Sequence, residues 1–239
     1  MKKRIDGRTA KGLRVREQVR ESILTAHIDL IRSGVPAPTA RETAERAGMS
    51  LRAIFNHFPD LRALRLASFN RAQAQSSEFF SEEILDRGSA AERLELFVHK
   101  QTRRLEYVTP FHRTAAMVES VDPDVAEAMK RARSAALRDL EKTLRPALTH
   151  FSRSEKRDLL TRLHMVCSWG AWELLRAHYR LSPRRARAII TSVALTVLAA
   201  AERRVHAPQA ATVHPPTTTG RTGESLIAGV VDDVVVGSD

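Results

Sequence analysis

The chain of 239 residues carries 39 Lys and Arg against 28 Asp and Glu, a formal net charge of +11, and one cysteine. This excludes an internal disulfide and a multi-cysteine metal site, and it favours a polyanionic partner. Aromatic residues are only 5%, and the alternating apolar and polar pattern of strands is absent before the tail, so an all-α fold with a small head and a larger body is expected.

Residues 1–14, MKKRIDGRTAKGLR, hold Lys2, Lys3, Arg4, Arg8, Lys11 and Arg14 with two glycines and little apolar content. Such a segment buries too little to fold alone. It reads either as a flexible basic arm entering a minor groove or as a solvated start. No apolar core follows the charges, so it is not read as a signal peptide. Val15 to Ser33 then has Val15, Val19, Ile23, Ala26, Ile28, Leu30 and Ile31 near helical periodicity, stopped by Gly34.

Pro38 to Leu64, PTARETAERAGMSLRAIFNHFPDLRAL, is the most informative stretch. Thr39 and Glu42 have capping-box spacing, Ala40–Ala47 is a short helix, and Gly48 supplies the break. Ser50 caps a second short helix, Leu51–Phe58, which Pro59 ends. Spacing alone leaves two readings open, a helix-turn-helix aimed at a major groove and an ordinary helical hairpin.

The unit Val15–Phe58 resembles the DNA-binding domain of the TetR/AcrR family of transcriptional repressors. The resemblance lies in the apolar first helix, in T-x-R-E-x-A-x-x-A-G at Thr39–Gly48, and in Ser50 followed by Ile54, Phe55, His57, Phe58 and Pro59. It implies a cytoplasmic transcriptional regulator that binds double-stranded DNA as a homodimer. Domains are expected at 15–60 for the helix-turn-helix and 61–204 for a helical ligand-binding and dimerisation body. Ser50, Leu51, Arg52 and Ala53 form the turn facing base edges. There Arg52 can donate twice to guanine and Leu51 can touch a thymine methyl. Thr39, Asn56 and His57 are expected at the backbone of the duplex, which positions without specifying, and Arg14 is expected to touch DNA from the basic arm. Ile54 and Phe58 are expected in the core. The family often has Tyr where Phe55 stands and Lys where Leu61 stands. Phe55 therefore keeps aromatic packing without a hydroxyl, and Arg62 is the expected replacement cation.

Charge agrees with this reading. Residues 1–65 are net +7, residues 66–204 also net +7 over about twice the length, and residues 205–239 net −3. Basic charge is densest around the proposed reading head, where counterion release would use it. RNA or a membrane would also attract cations, but no basic aromatic stacking signature accompanies them.

Helices are expected in the body at Leu61–Phe80, Ser89–Val108 (stopped by Thr109-Pro110), Phe111–Val121, Asp124–Leu144, Ser154–Tyr179 and Pro183–Arg204, with a break near Asp86–Gly88. With the head this makes nine. The last two are apolar on more than one face, too short and too flanked by charge to span a membrane, and are expected to form a twofold dimer interface. By resemblance, the middle helices enclose an effector pocket. Candidate lining residues are Phe69, Phe97, Gln101, Met117, Met129, Met165, Trp169 and Trp172, which suggest a hydrophobic or amphipathic effector. Among polar groups in apolar helices, Gln101, His164 and Glu173 are placed to orient a ligand, although Glu173 has Arg176 and Arg180 as possible ion partners.

No nucleophile–base arrangement, zinc motif, phosphate loop or dinucleotide fingerprint occurs, so neither an enzyme nor a cofactor or metal site is expected. Cys167, inside an apolar run, reads as a small core residue. Residues 205–239 are Pro, Thr and Gly rich and then acidic. They are expected to be disordered, with only Leu226–Val236 apolar enough to dock. Two other readings remain: a regulator of this fold without a small-molecule effector, and a basic architectural protein that coats DNA without sequence preference.

Overall fold

The computed structural model describes residues 7–79 and 88–206. Expectations for residues 1–6 of the basic arm, for the segment around Phe80 and Asp86, and for the tail beyond His206 lie outside the described residues. No strand occurs among the described residues.

Helix α1 (Gly7–Arg32) begins inside the expected arm. Extending an existing helix costs little, because nucleation is the unfavourable step, and Ala10, Lys11, Leu13 and Arg14 are good helix formers. Helix α2 (Ala40–Ala47) has the capping box in place. The Thr39 amide donates to the Glu42 carboxylate at 2.7 Å, and the Glu42 amide donates to the Thr39 hydroxyl at 3.2 Å. Gly48 ends it at φ 65, in the left-handed region where a Cβ would be strained. Helix α3 (Leu51–His57) is capped by Ser50, and α4 (Leu61–Ser76) by Asp60.

In the body, α4 stops at Ser76, short of the expected Phe80, and passes into a 3-10 turn over Ser77–Phe79, and two larger departures follow. Helix α5 runs unbroken from Ala90 to Ala116, through Pro110. A mid-helix proline costs about 3 kcal/mol. Here Val108, Phe111 and Ala115 are buried around it, and burying one large apolar side chain contributes about 1.5–3 kcal/mol, so packing outweighs the lost bond. Helix α6 (Pro123–Leu144) follows after Asp122.

The expected helix Ser154–Tyr179 is instead three pieces: α7 (Arg153–Val166), α8 (Trp169–Glu173) and a π turn over Leu174–His178. The Ser168 hydroxyl accepts the Ala171 amide at 3.2 Å and so takes the donor that the Cys167 carbonyl would have received. That carbonyl accepts instead from Gln101 Nε2 at 3.2 Å. Helix α9 (Pro183–His206) lies along α5 and α7, burying Ala186, Ile190, Ala194 and Leu198.

Two apolar clusters form the core. One joins the head to the lower body through Ile23, Ile28, Ile54, Phe58, Leu64, Phe69, Phe111 and Met129, so the head has no core of its own. The other holds α7 and α9 on α5 and α6 through Leu94, Phe97, Leu140, Leu163, Trp172 and Ile190.

His27 is fully buried in the head. Thr43 donates its hydroxyl to the Thr39 carbonyl, so it accepts from His27 Nδ1 at 2.9 Å. This leaves Nε2 unprotonated and without a partner among the described residues. Burial first, and the charge of Arg65 second, push the His27 pKa down to about 4. The folded state therefore binds fewer protons than the unfolded chain between about 6.5 and 4. This contribution to stability is complete above 6.5 and is lost as pH falls through that window. The melting temperature is expected to drop between pH 7.5 and pH 5. His27→Asn, which keeps a donor for Thr43, is expected to make that slope shallower, and an unchanged slope would remove His27 from its sources.

Candidate functional site

The first turn of α3 leaves Leu51 42% exposed and Arg52 and Asn56 exposed, with Ala53 and His57 half-buried. Ser50 points its oxygen at the Ala53 amide at 3.2 Å, so its hydroxyl serves the helix start. Arg52 makes no hydrogen bond or ion pair with another described residue. Beneath this face, Ile54 and Phe58 are 1% exposed, as expected of core residues. Arg20 of α1 braces α3 from below: its guanidinium lies 4.1 Å from the Phe58 ring centroid and donates to the His57 carbonyl at 2.8 Å. Nothing local in the sequence marks Arg20, because its partners stand nearly forty positions away.

Other assignments shift. Phe55 is 47% exposed, so it presents an apolar ring at the surface instead of packing inward. The Thr39 hydroxyl donates to Glu42 at 2.8 Å, which makes capping its role in this structure. Arg62, the expected replacement cation, is committed elsewhere: Nε donates to Asp122 at 2.5 Å and Nη2 donates to Asp122 at 2.7 Å and to Asp124 at 2.5 Å. The Arg62 bond is the main reason the Asp122 carboxyl sits down at about 2. The pair ties α4, directly below the head, to the start of α6. Thr114 of α5 adds a second tie by donating to the Pro36 carbonyl. Arg14 is exposed on α1.

In the body, a cavity of about 280 Å³ opens among α4, α5, α6, α7 and α8. Of the expected lining residues, it takes Gln101, Met129, Trp169 and His164. Phe69 stands behind His112, ring centroids 5.3 Å apart. Phe97 and Trp172 belong to the core, with the Trp172 indole donating to Glu106 at 3.2 Å. Met117, in the turn that follows α5, and Met165, on the outer face of α7, are 68% and 66% exposed and do not line this cavity. Glu173 pairs with Arg113 at 2.8 Å, not with Arg176 or Arg180, since Arg176 is taken by Glu106. The sequence reading missed Gln73, Arg104, His112 and Arg133, which come from three helices and share no motif.

His112 is held neutral. Gln73 Nε2 donates to its Nε2 at 2.5 Å, so Nδ1 carries the proton. Burial first, then the charges of Arg104 and Arg133, push its pKa down to about 3. Burial pushes the Cys167 thiol up to about 12, which leaves it protonated at neutral pH. Among the described residues no group of three or more His, Cys, Asp or Glu is placed to hold a metal ion.

No protein-family model matches the chain, and no curated protein matches it. Solved structures do. A TetR-family transcriptional regulator from Streptomyces coelicolor superimposes with a TM-score of 0.64 at 16% identity, over 79% of this chain and 83% of its own. A regulator from Rhodococcus sp. assigned to the same family gives 0.59 at 17%, over 76% and 99%. A transcriptional regulator from Pseudomonas aeruginosa gives 0.59 at 16%, over 79% and 94%. The fold is therefore the one these regulators share.

Proposed function

We propose that this chain is a sequence-specific DNA-binding transcriptional regulator of the TetR family. It acts in the cytoplasm as a homodimer, most simply as a repressor released from a near-palindromic operator by a small molecule. The observation that carries the reading is the α3 face, where a doubly capped helix-turn-helix holds Leu51, Arg52 and Asn56 in solvent and leaves Arg52 uncommitted. The net +7 of residues 1–65 supports a phosphate partner. No described helix is long and apolar enough to cross a membrane.

The cavity supports the switch. Its α6 wall, with Met129 and Arg133, lies on the helix whose start holds Arg62 of α4. A ligand with different affinities for two α6 positions would change the spacing of the two heads. Without such a difference it would release nothing.

The test is selection of bound sequences from a random duplex pool, followed by binding of the winner to the Arg52→Ala variant. A near-palindromic motif is expected, with Arg52→Ala costing roughly 1–3 kcal/mol and relaxing preference at one base position per half-site. Equal weakening on all duplexes would make Arg52 a phosphate contact. Absence of any motif would leave the architectural reading.

A further inference from the structure

The cavity also constrains the chemistry of what enters it. Three of its residues carry a buried polar atom with no partner among the described residues: Gln101 Oε1, His112 Nδ1 and Trp169 Nε1. The two nitrogens are N–H donors. They sit on rings whose centroids lie 5.2 Å apart. The ionisable lining groups are Arg104, Arg133, His112 and His164, and no carboxylate lines the wall. Arg104 is paired with Asp139 at 3.1 Å and Arg133 with Glu119 at 2.6 Å, both outside the lining. Positive potential nonetheless persists inside. Behind the larger effect of burial, the charges of Arg104 and Arg133 both depress His112. Gln73 and Ser168 also line the wall, bonded to His112 and to the Ala171 amide, and the remainder is mostly apolar, with Leu105, Val108 and Met129 among its members.

We propose that the ligand of this cavity is a small organic carboxylate with an apolar body, its carboxylate accepting from the Trp169 and His112 N–H groups beside Arg104 and Arg133. The inference rests on reading this cavity as the effector site. A purely apolar ligand would bury all three polar atoms unpaired. An amine would bring a third cation to a wall that already holds two guanidiniums and would have no use for the two donors. The remaining acceptor, Gln101 Oε1, suits a hydroxyl on the body of the ligand. At roughly 30 Å³ per water in the liquid, the space equals about nine waters, which limits the ligand to one or two rings or a short chain.

Calorimetric titration of the full chain with phenylacetate, para-hydroxyphenylacetate and naphthylacetate, each beside its amide and the corresponding arylethylamine, tests this. At least one carboxylate is expected to bind tenfold or more tighter than its amide, with the amine silent. Arg133→Gln, at a half-exposed site, is expected to erase that preference while the melting temperature stays near that of the parent. Binding of an amide or amine as tight as the carboxylate, no binding of any carboxylate, or a preference that survives Arg133→Gln would overturn the assignment. Repeating the titration on the complex with the selected duplex separates the two readings. A carboxylate that binds without loosening DNA keeps the ligand class and removes the release mechanism. Release by an amide or amine does the reverse.

Discussion

Phe58→Ala is expected to lower the melting temperature by roughly 6–20 °C and to abolish operator binding. Truncating a buried Phe costs about 3–5 kcal/mol, against a total stability of about 5–15 kcal/mol for a typical domain. Phe58 is 1% exposed and closes α3 against Ile23, Ile28 and Leu64, with the Arg20 guanidinium over its ring. Its loss opens a cavity directly under α3 and leaves Arg20 only the His57 carbonyl. The effect should reach past the head, because the same cluster continues into Phe69, Phe111 and Met129. Phe55→Ala, three residues earlier, supplies the contrast. At 47% exposure Phe55 should change stability by no more than about 0.5 kcal/mol. Thermal melts of the two variants decide the matter, and equal shifts would mean that α3 is not seated as described.

Val193→Glu is expected to convert a dimer to monomer and to weaken operator binding on the order of 10²–10⁴-fold. Helix α9 spends one face on the body, with Ala186, Ile190, Ala194 and Leu198 buried there. The adjoining face leaves Ile189 37% and Val193 43% exposed, and Met165 of α7 and Leu174 of the π turn are 66% and 51% exposed. A twofold axis through such a face would meet each substituted carboxylate twice, and an unpaired charge buried in an interface costs several kcal/mol. The operator loss follows because two linked heads bind a palindrome as one unit. Val121→Glu, at a 79% exposed position before α6, controls for added charge. Sedimentation equilibrium alongside operator titration reads both effects. A Val193→Glu protein that stays dimeric would move the interface to another face.

Local chemistry in the sequence determined the helices of the head. The capping box at Thr39 and Glu42, the left-handed Gly48, and the Ser50 and Asp60 caps all join residues within about three positions of each other. Such signals act whatever the rest of the chain does, so their spacing was enough to place α2, α3 and the start of α4. Long-range packing decided what sequence order left open. Pro110 stays inside α5 because its neighbours are buried on the facing helices, and no local pattern reports that burial. The break at Ser168 depends on Gln101 taking the Cys167 carbonyl from sixty-six positions away. Arg62 left its expected place at the DNA for Asp122, sixty positions on, because α6 starts beside α4. The cavity is the plainest case. His112, Arg104, Arg133 and Trp169 carry no shared spacing, and only the crossing of their helices brings two cations and two free N–H groups to one wall. Caps and turns are local free-energy minima, whereas a binding wall exists only once the helices that carry it have packed.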